Sequence, residues 1–436
     1  MKRKALSILI DWRNQKNRKP LVMRGVRQCG KTWLVRELGK LFDQYVEINF
    51  EKEPLYSEIF QKNLDPHRIL REIAIRKGKP ISGPETLLFL DEIKNCPNAL
   101  LSLRYFYEDM PGFSVIGAGS LLQLAIEQVG MPVGRVDFFH VYPMSFLEYL
   151  DATGSESLKN WILTDPQLES IALHQTALEK LGEYLCVGGM PEAIATWKDT
   201  LDSFATAKIH QSLVETYKND FPKYARKVQI KYVDEVFMAI PKLAGKKWVY
   251  SSASTHHRSR ELAPALLLLE SAHIAHRIRQ TSATSPPLGA MASSSFKIIL
   301  SDIAIMQSTL GIKSGEWITA FNRTLSNRGA LVEAMVGQEL VAYSDPHARK
   351  DLFTWLREKP GAEAEVDYIE MIDGLVTPIE VKAGRGDHLK SLRLYQEEKK
   401  ITNGVVFSSD QKRHDKNLLR LPLYAIGTLF ERSKTN

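Results

Sequence analysis

The sequence predicts an α/β protein built from more than one domain. Near the amino terminus, a glycine-rich loop stands between a short apolar run and a helical pattern, as in a parallel sheet covered by helices. From about residue 320, a clear helix is followed by three strands, a second helix and a further strand. The 436 residues are enough for two to four domains of roughly 100–200 residues each.

The composition is that of an ordinary globular protein, with 44% hydrophobic and 25% charged residues. The net charge of +7 permits nucleic acid as a partner, and an ordinary basic surface explains it equally well. Cys29, Cys96 and Cys186 are too few and too far apart for a disulfide framework. No apolar run approaches the ~18 residues of a membrane span, and a signal peptide is not expected. We therefore expect a soluble cytoplasmic protein without a membrane partner.

The segment GVRQCGKT, residues 25–32, has the spacing G-x-x-x-x-G-K-[ST]. A buried strand is predicted before it and an amphipathic helix after it, so its backbone N–H groups and the helix dipole face a phosphate. We expect Lys31 to reach the β- and γ-phosphates and Thr32 to ligate Mg²⁺. The predicted ATP site comprises Gly25, Val26, Arg27, Gln28, Cys29, Gly30, Lys31, Thr32 and Trp33.

A second apolar strand, TLLFLDE, ends in two acidic residues. Asp91 would hold Mg²⁺ through water, and Glu92 would polarise the attacking water as a general base. A third strand, FSVIGAGS, ends at Ser120, whose hydroxyl faces the γ-phosphate in one interpretation and caps the following helix in another. Arg135 is a candidate for stabilising transition-state charge in cis or in trans, or else a solvated or paired arginine.

Together these segments resemble a group of bacterial and archaeal AAA-like ATPases with a carboxy-terminal domain of unknown function. The more particular marks are HVYPMSFLEYL at residues 140–150 and GGMPEA at 188–193, and the resemblance is densest over 12–200. It implies an AAA-type α/β core over residues 1–200, and a homo-oligomer, because AAA-type ATPases commonly form rings in which Arg135 would act in trans. It also implies Mg-ATP and catalytic or binding roles for Lys31, Thr32, Asp91, Glu92 and Arg135.

Residues 201–318 predict a helical, winged-helix-like module made of two helices and a strand pair. The segment 281–295 is expected to be a mobile loop or a hairpin tip, and Asp302 a cap or turn residue. The basic and aromatic residues of this module are candidates to approach a DNA backbone. A solvated face, with the module packed on the ATPase domain, is the favoured alternative for Lys246, Lys247, Trp248, Arg258 and Arg260.

The tail, residues 319–436, places Asp367 on one predicted strand and Glu380 and Lys382 on the next. Alternate residues of a strand share a face, so Glu380 and Lys382 point the same way. Asp367, Glu380 and the helical Glu333 offer the carboxylate oxygens that Mg²⁺ prefers. Lys382 would position a water or stabilise a phosphate, and Gln396 is a weaker candidate for orienting it.

This arrangement resembles the PD-(D/E)XK motif of restriction-nuclease-like domains, with Asp367, Glu380 and Lys382 at its core positions and Glu333 beside them. The resemblance implies a nuclease fold and a DNA-directed module, and a surface salt-bridge cluster is the alternative. We therefore expect ATP binding and hydrolysis coupled to this tail. An ATP-gated, metal-dependent endonuclease and a nucleotide-switched protein-interaction module remain open.

Overall fold

The computed structural model describes residues 1–431 apart from 82, 84, 120–129, 131–133, 166, 225–228, 358–362, 385–388 and 416. Ser120 therefore lies outside the described residues. The described strands form a five-stranded parallel sheet and an eight-stranded mixed sheet. Among the described helices, none has the length and apolar character needed to cross a lipid bilayer.

The amino-terminal region alternates strands and helices. Its strands have the order β2-β3-β4-β1-β5 and pair in parallel. Every residue of β3 is buried, which is typical of a parallel strand covered on both faces. The elements are α1 (Lys4–Arg13), β1 (Leu21–Arg24), α2 (Lys31–Gly39), β2 (Gln44–Asn49), α3 (Pro66–Lys77), β3 (Thr86–Asp91), α4 (Pro97–Asp109), β4 (Ser114–Ala118) and β5 (Asp137–His140).

A helical region follows, as the sequence predicts. The long helix Ser203–Tyr224 contains Pro222. The elements are α5 (Phe146–Ala152), α6 (Glu156–Thr164), α7 (Ile171–Val187), α8 (Pro191–Thr200), α9 (Ser203–Tyr224), α10 (Ile230–Lys242), α11 (Tyr250–Ala253), α12 (Ser259–Ser271), α13 (Ile303–Thr309), α14 (Glu316–Thr319) and α15 (Phe321–Asn327).

The mixed sheet contains the tail strands and also the strand pair of the middle region. Its order is β12-β13-β11-β10-β9-β8-β6-β7. The elements are β6 (Ala275–Thr281), β7 (Ala292–Leu300), α16 (Gly329–Ala342), β8 (Leu352–Arg357), β9 (Ala364–Ile372), β10 (Leu375–Val381), α17 (Lys390–Lys399), β11 (Gly404–Ser408), β12 (Arg413–Asp415), β13 (Leu418–Pro422) and α18 (Thr428–Glu431).

The predicted winged-helix strand pair is thus not a separate wing. β6 pairs in parallel with β8, with Ile278 opposite Leu352, so the sheet crosses the predicted boundary between 201–318 and 319–436. Pairing satisfies the backbone groups that a free edge of β6 would expose. The hairpin tip between β6 and β7 also contributes to the core, because Ala283 and Leu288 are buried beside strands of this sheet.

The helix α16 is buried on nearly every side, rather than on the single face that its sequence pattern predicts. It contacts α13 together with β7, β8 and β10, and ten of its residues, including the polar Gln338 and Glu339, are buried. A helix in this position needs partners for each polar side chain that it carries inward.

The partners of Glu339 lie on two helices that precede the tail. Its carboxylate accepts a hydrogen bond from Phe146 N of α5 at 3.1 Å and one from the Tyr184 hydroxyl of α7 at 2.7 Å. The neighbouring Gln338 donates to the same hydroxyl at 2.8 Å and accepts from Ile303 N at 2.7 Å. We call this set of residues the Glu339 junction.

A second joint between regions explains the glycine pair after α7. Met144 N donates to Gly189 O at 2.7 Å, and Gly189 N donates to Asp302 Oδ2 at 2.6 Å. Asp302 also accepts from Ala304 N and Ile305 N and so caps α13, which confirms its predicted cap role. Gly188 has φ +73°, and a Cβ there would lie 2.6 Å from Asp302 Oδ1.

We expect Gly188→Ala to destabilise the protein, because its methyl group would collide with the Asp302 carboxylate in addition to straining the backbone. The control is Gly311→Ala, since Gly311 has φ +67° but open space around its Cβ position. The free energy of unfolding should fall by at least about 2 kcal/mol more in Gly188→Ala than in the control. Equal losses in chemical denaturation would contradict this account of the joint.

We also expect a pH-dependent stability from Glu339. Burial raises its pKa to about 7 from the ordinary 4.5. Between these values the folded protein holds a proton that the unfolded chain has lost, so this stabilisation is present at low pH and disappears as the pH rises through about 7. Glu339→Gln removes this titration. Between pH 5 and pH 8 the unfolding free energy of this variant should therefore fall by about 3 kcal/mol less than that of the wild type.

Denaturation curves at several pH values would measure this difference, with Glu397→Gln on the exposed face of α17 as the matched control. The control should follow the wild type across the whole range. Parallel profiles for the wild type and Glu339→Gln would show that the junction carboxylate does not titrate in this way.

Candidate functional site

The glycine-rich loop joins the carboxyl end of β1 to the first turn of α2. Gly25 has φ +153°, and a Cβ there would lie 2.1 Å from Val141 O, so only glycine fits. Gly30 has φ +98° and precedes α2 directly. Lys31 Nζ lies across the loop and donates to Gly25 O and Val26 O, both at 2.9 Å. The loop therefore surrounds an amine at the positive end of a helix.

Asp91 ends β3 and lies beside Thr32. Thr32 Oγ1 donates to Asp91 Oδ2 at 3.3 Å, and Asn49 Nδ2 donates to the same oxygen at 3.0 Å. Burial, with the nearby charge of Glu92, raises the pKa of Asp91. Sequence reasoning missed Asn49. Asn49 lies opposite Asp91 because β2 pairs in parallel with β3, a register that no local pattern predicts.

Glu92 has a left-handed backbone, with φ +49°. Such conformations cost free energy in a residue with a side chain and are concentrated at functional positions. Its carboxylate forms an ion pair with Lys94 Nζ at 3.1 Å. A role as general base would therefore require Lys94 to release the carboxylate or to share it with a water.

The loop is also held from outside the parallel sheet, by contacts that sequence reasoning missed. Arg3 donates to Cys29 O at 3.0 Å and to Tyr142 O at 2.8 Å. Arg27 forms an ion pair with Asp220 of α9, and the Tyr217 hydroxyl donates to Arg27 O at 3.3 Å. These partners are 26 to 193 residues away along the chain, and no local pattern points to them.

The remaining predicted loop residues have different environments. Val26 and Cys29 are buried, which agrees with a structural role for their side chains. Gln28 has φ +65°, and Trp33 is exposed on the first turn of α2. Contacts of these residues with a nucleotide remain a prediction.

Arg135 lies at the opposite end of the parallel sheet. It precedes β5, whose first residue, Asp137, pairs with Leu21 at the start of β1. The glycine-rich loop follows the other end of β1, so the strand alone separates the two by about 10 Å. Arg135 Nε donates to Glu108 at the end of α4 at 2.8 Å, and the pairing raises the pKa of this exposed arginine.

Carboxylates of the tail converge on the mixed sheet. Among the described residues, Glu333, Glu365 and Asp367 each place one carboxylate oxygen within 4.8 Å of the others, a group able to hold a metal ion. We call these three residues the carboxylate cluster. Burial raises the pKa of Asp367 well above its ordinary value, with the charges of Glu333 and Glu380 adding to the effect. Carboxylates this close favour a cation between them.

The predicted metal ligand Glu380 is not one of these three residues, and it lies with Lys382 beside the cluster. As predicted, their side chains share a face, with Lys382 Nζ 2.6 Å from Glu380 Oε1. Asp367 Oδ2 accepts a hydrogen bond from Val381 N at 2.7 Å. Gln396, the weaker candidate, donates to Thr402 O and Asn403 O at the end of α17.

Two further residues of this site were missed from the sequence. Glu365 lies two positions before Asp367 on β9, so strand alternation would have placed both on one face. Lys297 lies on β7 and forms ion pairs with Glu333 and Glu365. Nothing local marks Lys297, because β7 is separated from β9 by more than 60 residues.

The predicted basic stretch of the middle region reaches the edge of this site. A Cβ on Gly245 would lie 3.1 Å from Glu333 Oε2, and Lys247 lines a cleft of about 590 Å³ together with Glu365. Lys246, Lys247, Arg258 and Arg260 are exposed. Trp248 is not available to a DNA backbone, because its side chain is buried and its backbone N–H donates to Phe296 O at 2.8 Å.

Comparisons with protein families divide the chain into three. Residues 17–150 match the model of an AAA domain. Residues 178–316 and 328–425 match two domains of unknown function, DUF8612 and DUF4143. No protein of curated function matches the chain.

Solved structures give distant matches. The Orc1 protein of Aeropyrum pernix in complex with DNA is 12% identical, with a TM-score of 0.29, over 70% of this chain and 90% of that one. PCH-2 of C. elegans is 13% identical, with a TM-score of 0.27, and the match covers 49% of this chain and 66% of that one. Drosophila ORC bound to DNA is 12% identical, with a TM-score of 0.26, and the match covers 61% of this chain and 72% of that one. TM-scores this low do not establish a shared arrangement of domains.

The parallel sheet, the glycine-rich loop and the family match agree over the same part of the chain. The carboxylate cluster lies in the mixed sheet beyond it, within residues whose family has no stated function. The amino-terminal region is therefore an AAA-like P-loop domain, followed by two domains of unknown function.

Proposed function

We propose that this protein is an ATPase whose nucleotide state controls a carboxy-terminal, nuclease-like domain directed at DNA. One observation carries the proposal: the Lys31 amine lies in a glycine-rich loop beside a hydroxyl–carboxylate pair, with Thr32 Oγ1 3.3 Å from Asp91 Oδ2. These groups fit a nucleoside triphosphate with Mg²⁺, because an amine and backbone N–H groups bind phosphate oxygens while a hydroxyl and a carboxylate hold the cation.

Each residue of the site then has its own role in ATP hydrolysis. Lys31 exchanges the carbonyl oxygens of its own loop for the β- and γ-phosphates, and Thr32 and Asp91 hold Mg²⁺. A bound Mg²⁺ would neutralise charge on the phosphates. A cation beside Asp91 also favours its ionised form and so opposes the upward shift of its pKa. Glu92 orients the attacking water once its pairing with Lys94 is relaxed.

Arg135 is proposed to act on the site of a neighbouring subunit. Its position at the amino end of β5 is on the far side of the sheet from Lys31 of the same chain, and its exposure leaves it accessible to a second copy. An arginine supplied in trans stabilises the charge of the phosphoryl transition state. A homo-oligomer is therefore part of the proposal.

The contacts of the loop support coupling to the rest of the chain. Arg27 is paired with Asp220 and its carbonyl oxygen accepts from Tyr217, both on α9. Phosphate bound in the loop adds negative charge beside Arg27 and draws it away from Asp220. Because α9 packs against α13 and α10, a change in this pair is transmitted to the helices that carry the mixed sheet.

Mixing two inactive variants tests the ATP site and the oligomer together. Lys31→Ala and Arg135→Ala should each lower ATP turnover at least about 100-fold, because each removes charge stabilisation of the transferred phosphoryl group. In an equal mixture, sites that pair an intact Lys31 with an intact neighbouring Arg135 should restore about a quarter of the wild-type rate. The measurement is steady-state ATP hydrolysis.

Arg104→Ala serves as the matched control, because Arg104 pairs with the same Glu108 as Arg135 does. It should keep turnover near the wild-type rate. No recovery in the mixture would exclude a trans role for Arg135, and full activity of Lys31→Ala would exclude the ATP site itself.

Metal-dependent DNA cleavage is a second candidate function, favoured by the carboxylate cluster and by a further buried oxygen. Among the described residues, Glu380 Oε2 has no hydrogen-bond partner. Burial acts on this carboxylate first, followed by the charges of Lys382, Glu333 and Lys297. A divalent ion would satisfy these oxygens and supply the Lewis acid that phosphodiester hydrolysis needs. Lys246 and Lys247 at the rim would contact phosphates.

Plasmid nicking tests this candidate with Mg²⁺ or Mn²⁺, with and without ATP. The wild type should nick the plasmid, and Asp367→Asn should abolish nicking, because it removes a metal ligand from the centre of the cluster. Lys31→Ala, run beside it, shows whether ATP controls the activity.

Asp373→Asn is the control, since Asp373 lies in the turn of the same β9–β10 hairpin at φ +49°, a conformation that asparagine tolerates. It should nick as the wild type does. Absence of nicking in the wild type, with ATP turnover intact, would leave the tail as a nucleotide-controlled binding module.

A further inference from the structure

A buried lysine already sits at the carboxylate cluster. Lys297 Nζ donates to Glu333 Oε1 at 2.7 Å and forms an ion pair with Glu365, and its side chain is 1% exposed. The lysine comes from β7, within the segment matched by one family model, whereas its acidic partners come from the segment matched by the next. The site is thus assembled from two regions of the chain.

Because Lys297 is buried, its charge must be balanced by neighbouring carboxylates. An ammonium group out of water is costly unless it is paired, and neighbouring carboxylates repel each other unless a cation lies near them. Lys297 meets both needs at Glu333 and Glu365. Glu380 remains incompletely satisfied, because its buried Oε2 has no hydrogen-bond partner among the residues described.

An ammonium group and a divalent ion would use the same oxygens. The ligand atoms of Glu333, Glu365 and Asp367 lie within 4.8 Å of one another, and Lys297 is bonded to two of these three residues. A metal ion that enters must therefore displace Lys297 from at least one carboxylate or bind against its positive charge. Either course weakens metal binding.

We propose that Lys297 is the resident cation of the carboxylate cluster: it neutralises Glu333 and Glu365 without metal and competes with a divalent ion for their oxygens. This inference rests on the proposed reading of the cluster as a metal site. Lys297 then sets the metal concentration at which the carboxylate cluster binds a divalent ion. β7 leads directly into Asp302, which caps α13. Release of Lys297 by a metal ion therefore also affects the start of α13 in the middle region.

The test measures Mn²⁺ binding to the full chain without nucleotide, by titration calorimetry and by thermal unfolding in EDTA or Mn²⁺. Lys297→Met keeps the length of the side chain and removes its charge, so it should bind Mn²⁺ at least about tenfold more tightly than the wild type. It should also unfold at a lower temperature in EDTA and regain that loss in Mn²⁺, because the ion replaces the missing charge.

Two variants control this result. Lys297→Arg keeps a cation and should bind Mn²⁺ no more tightly than the wild type. Lys350→Met removes a lysine that pairs with Glu370, on the same strand β9 but outside the cluster, and should leave Mn²⁺ affinity unchanged. Adding Asp367→Asn to Lys297→Met should abolish the gain, which assigns the bound ion to the cluster.

The contrary outcomes distinguish a failure of the metal site from a failure of the competition by Lys297. Equal Mn²⁺ affinity in the wild type and Lys297→Met would overturn the competition and leave the metal site standing. No Mn²⁺ binding by any variant would overturn both the metal site and the role of Lys297. A Lys297→Met chain that stays unfolded in Mn²⁺ would also overturn the proposal, because it predicts that a metal ion replaces the lysine.

Discussion

The three regions of the chain depend on one buried carboxylate. Glu339 accepts hydrogen bonds from Phe146 N, within the segment that matches the AAA domain, and from the Tyr184 hydroxyl, within the segment matched by DUF8612. Its own helix, α16, lies in the segment matched by DUF4143. An apolar side chain at this position would leave the buried Phe146 N–H without an acceptor, which costs more than the bond contributes. The Tyr184 hydroxyl would keep only Met144 O as an acceptor, at 2.8 Å. The acceptor that Glu339 provides to the Phe146 N–H and the Tyr184 hydroxyl helps to hold α16 against α5 and α7.

The segments that carry the family resemblance belong to this packing rather than to the nucleotide site. HVYPMSFLEYL contains Ser145, which caps α5, and Met144, which pairs with Gly189 of GGMPEA. Arg3 connects the same segment to the glycine-rich loop, through Tyr142 O and Cys29 O. These residues therefore stand between the loop and the tail, along the route that the proposed coupling would take.

The sequence predicted what local patterns encode. The loop from Gly25 to Thr32, the acidic end of β3 and the tail hairpin with Asp367 and Glu380 lie where strand and helix periodicity places them. Long-range pairing was not encoded locally, so β6 and β7 were read as a separate wing although β6 pairs with β8. For the same reason Lys297 was missed: its carboxylate partners approach it only after the sheet has formed.

Both candidate sites carry an internal ion pair where a charged ligand would bind. In the loop, Arg27 is paired with Asp220 of α9, and in the tail Lys297 is paired with Glu333 of α16. In each case one partner belongs to the proposed site and the other to a neighbouring region, so a ligand that replaced the partner would also loosen the contact between the regions. The free energy of such a pair sets the coupling available, on the order of 1–3 kcal/mol for a typical allosteric linkage. Because linkage is reciprocal, any effect of nucleotide on metal affinity must equal the effect of metal on nucleotide affinity.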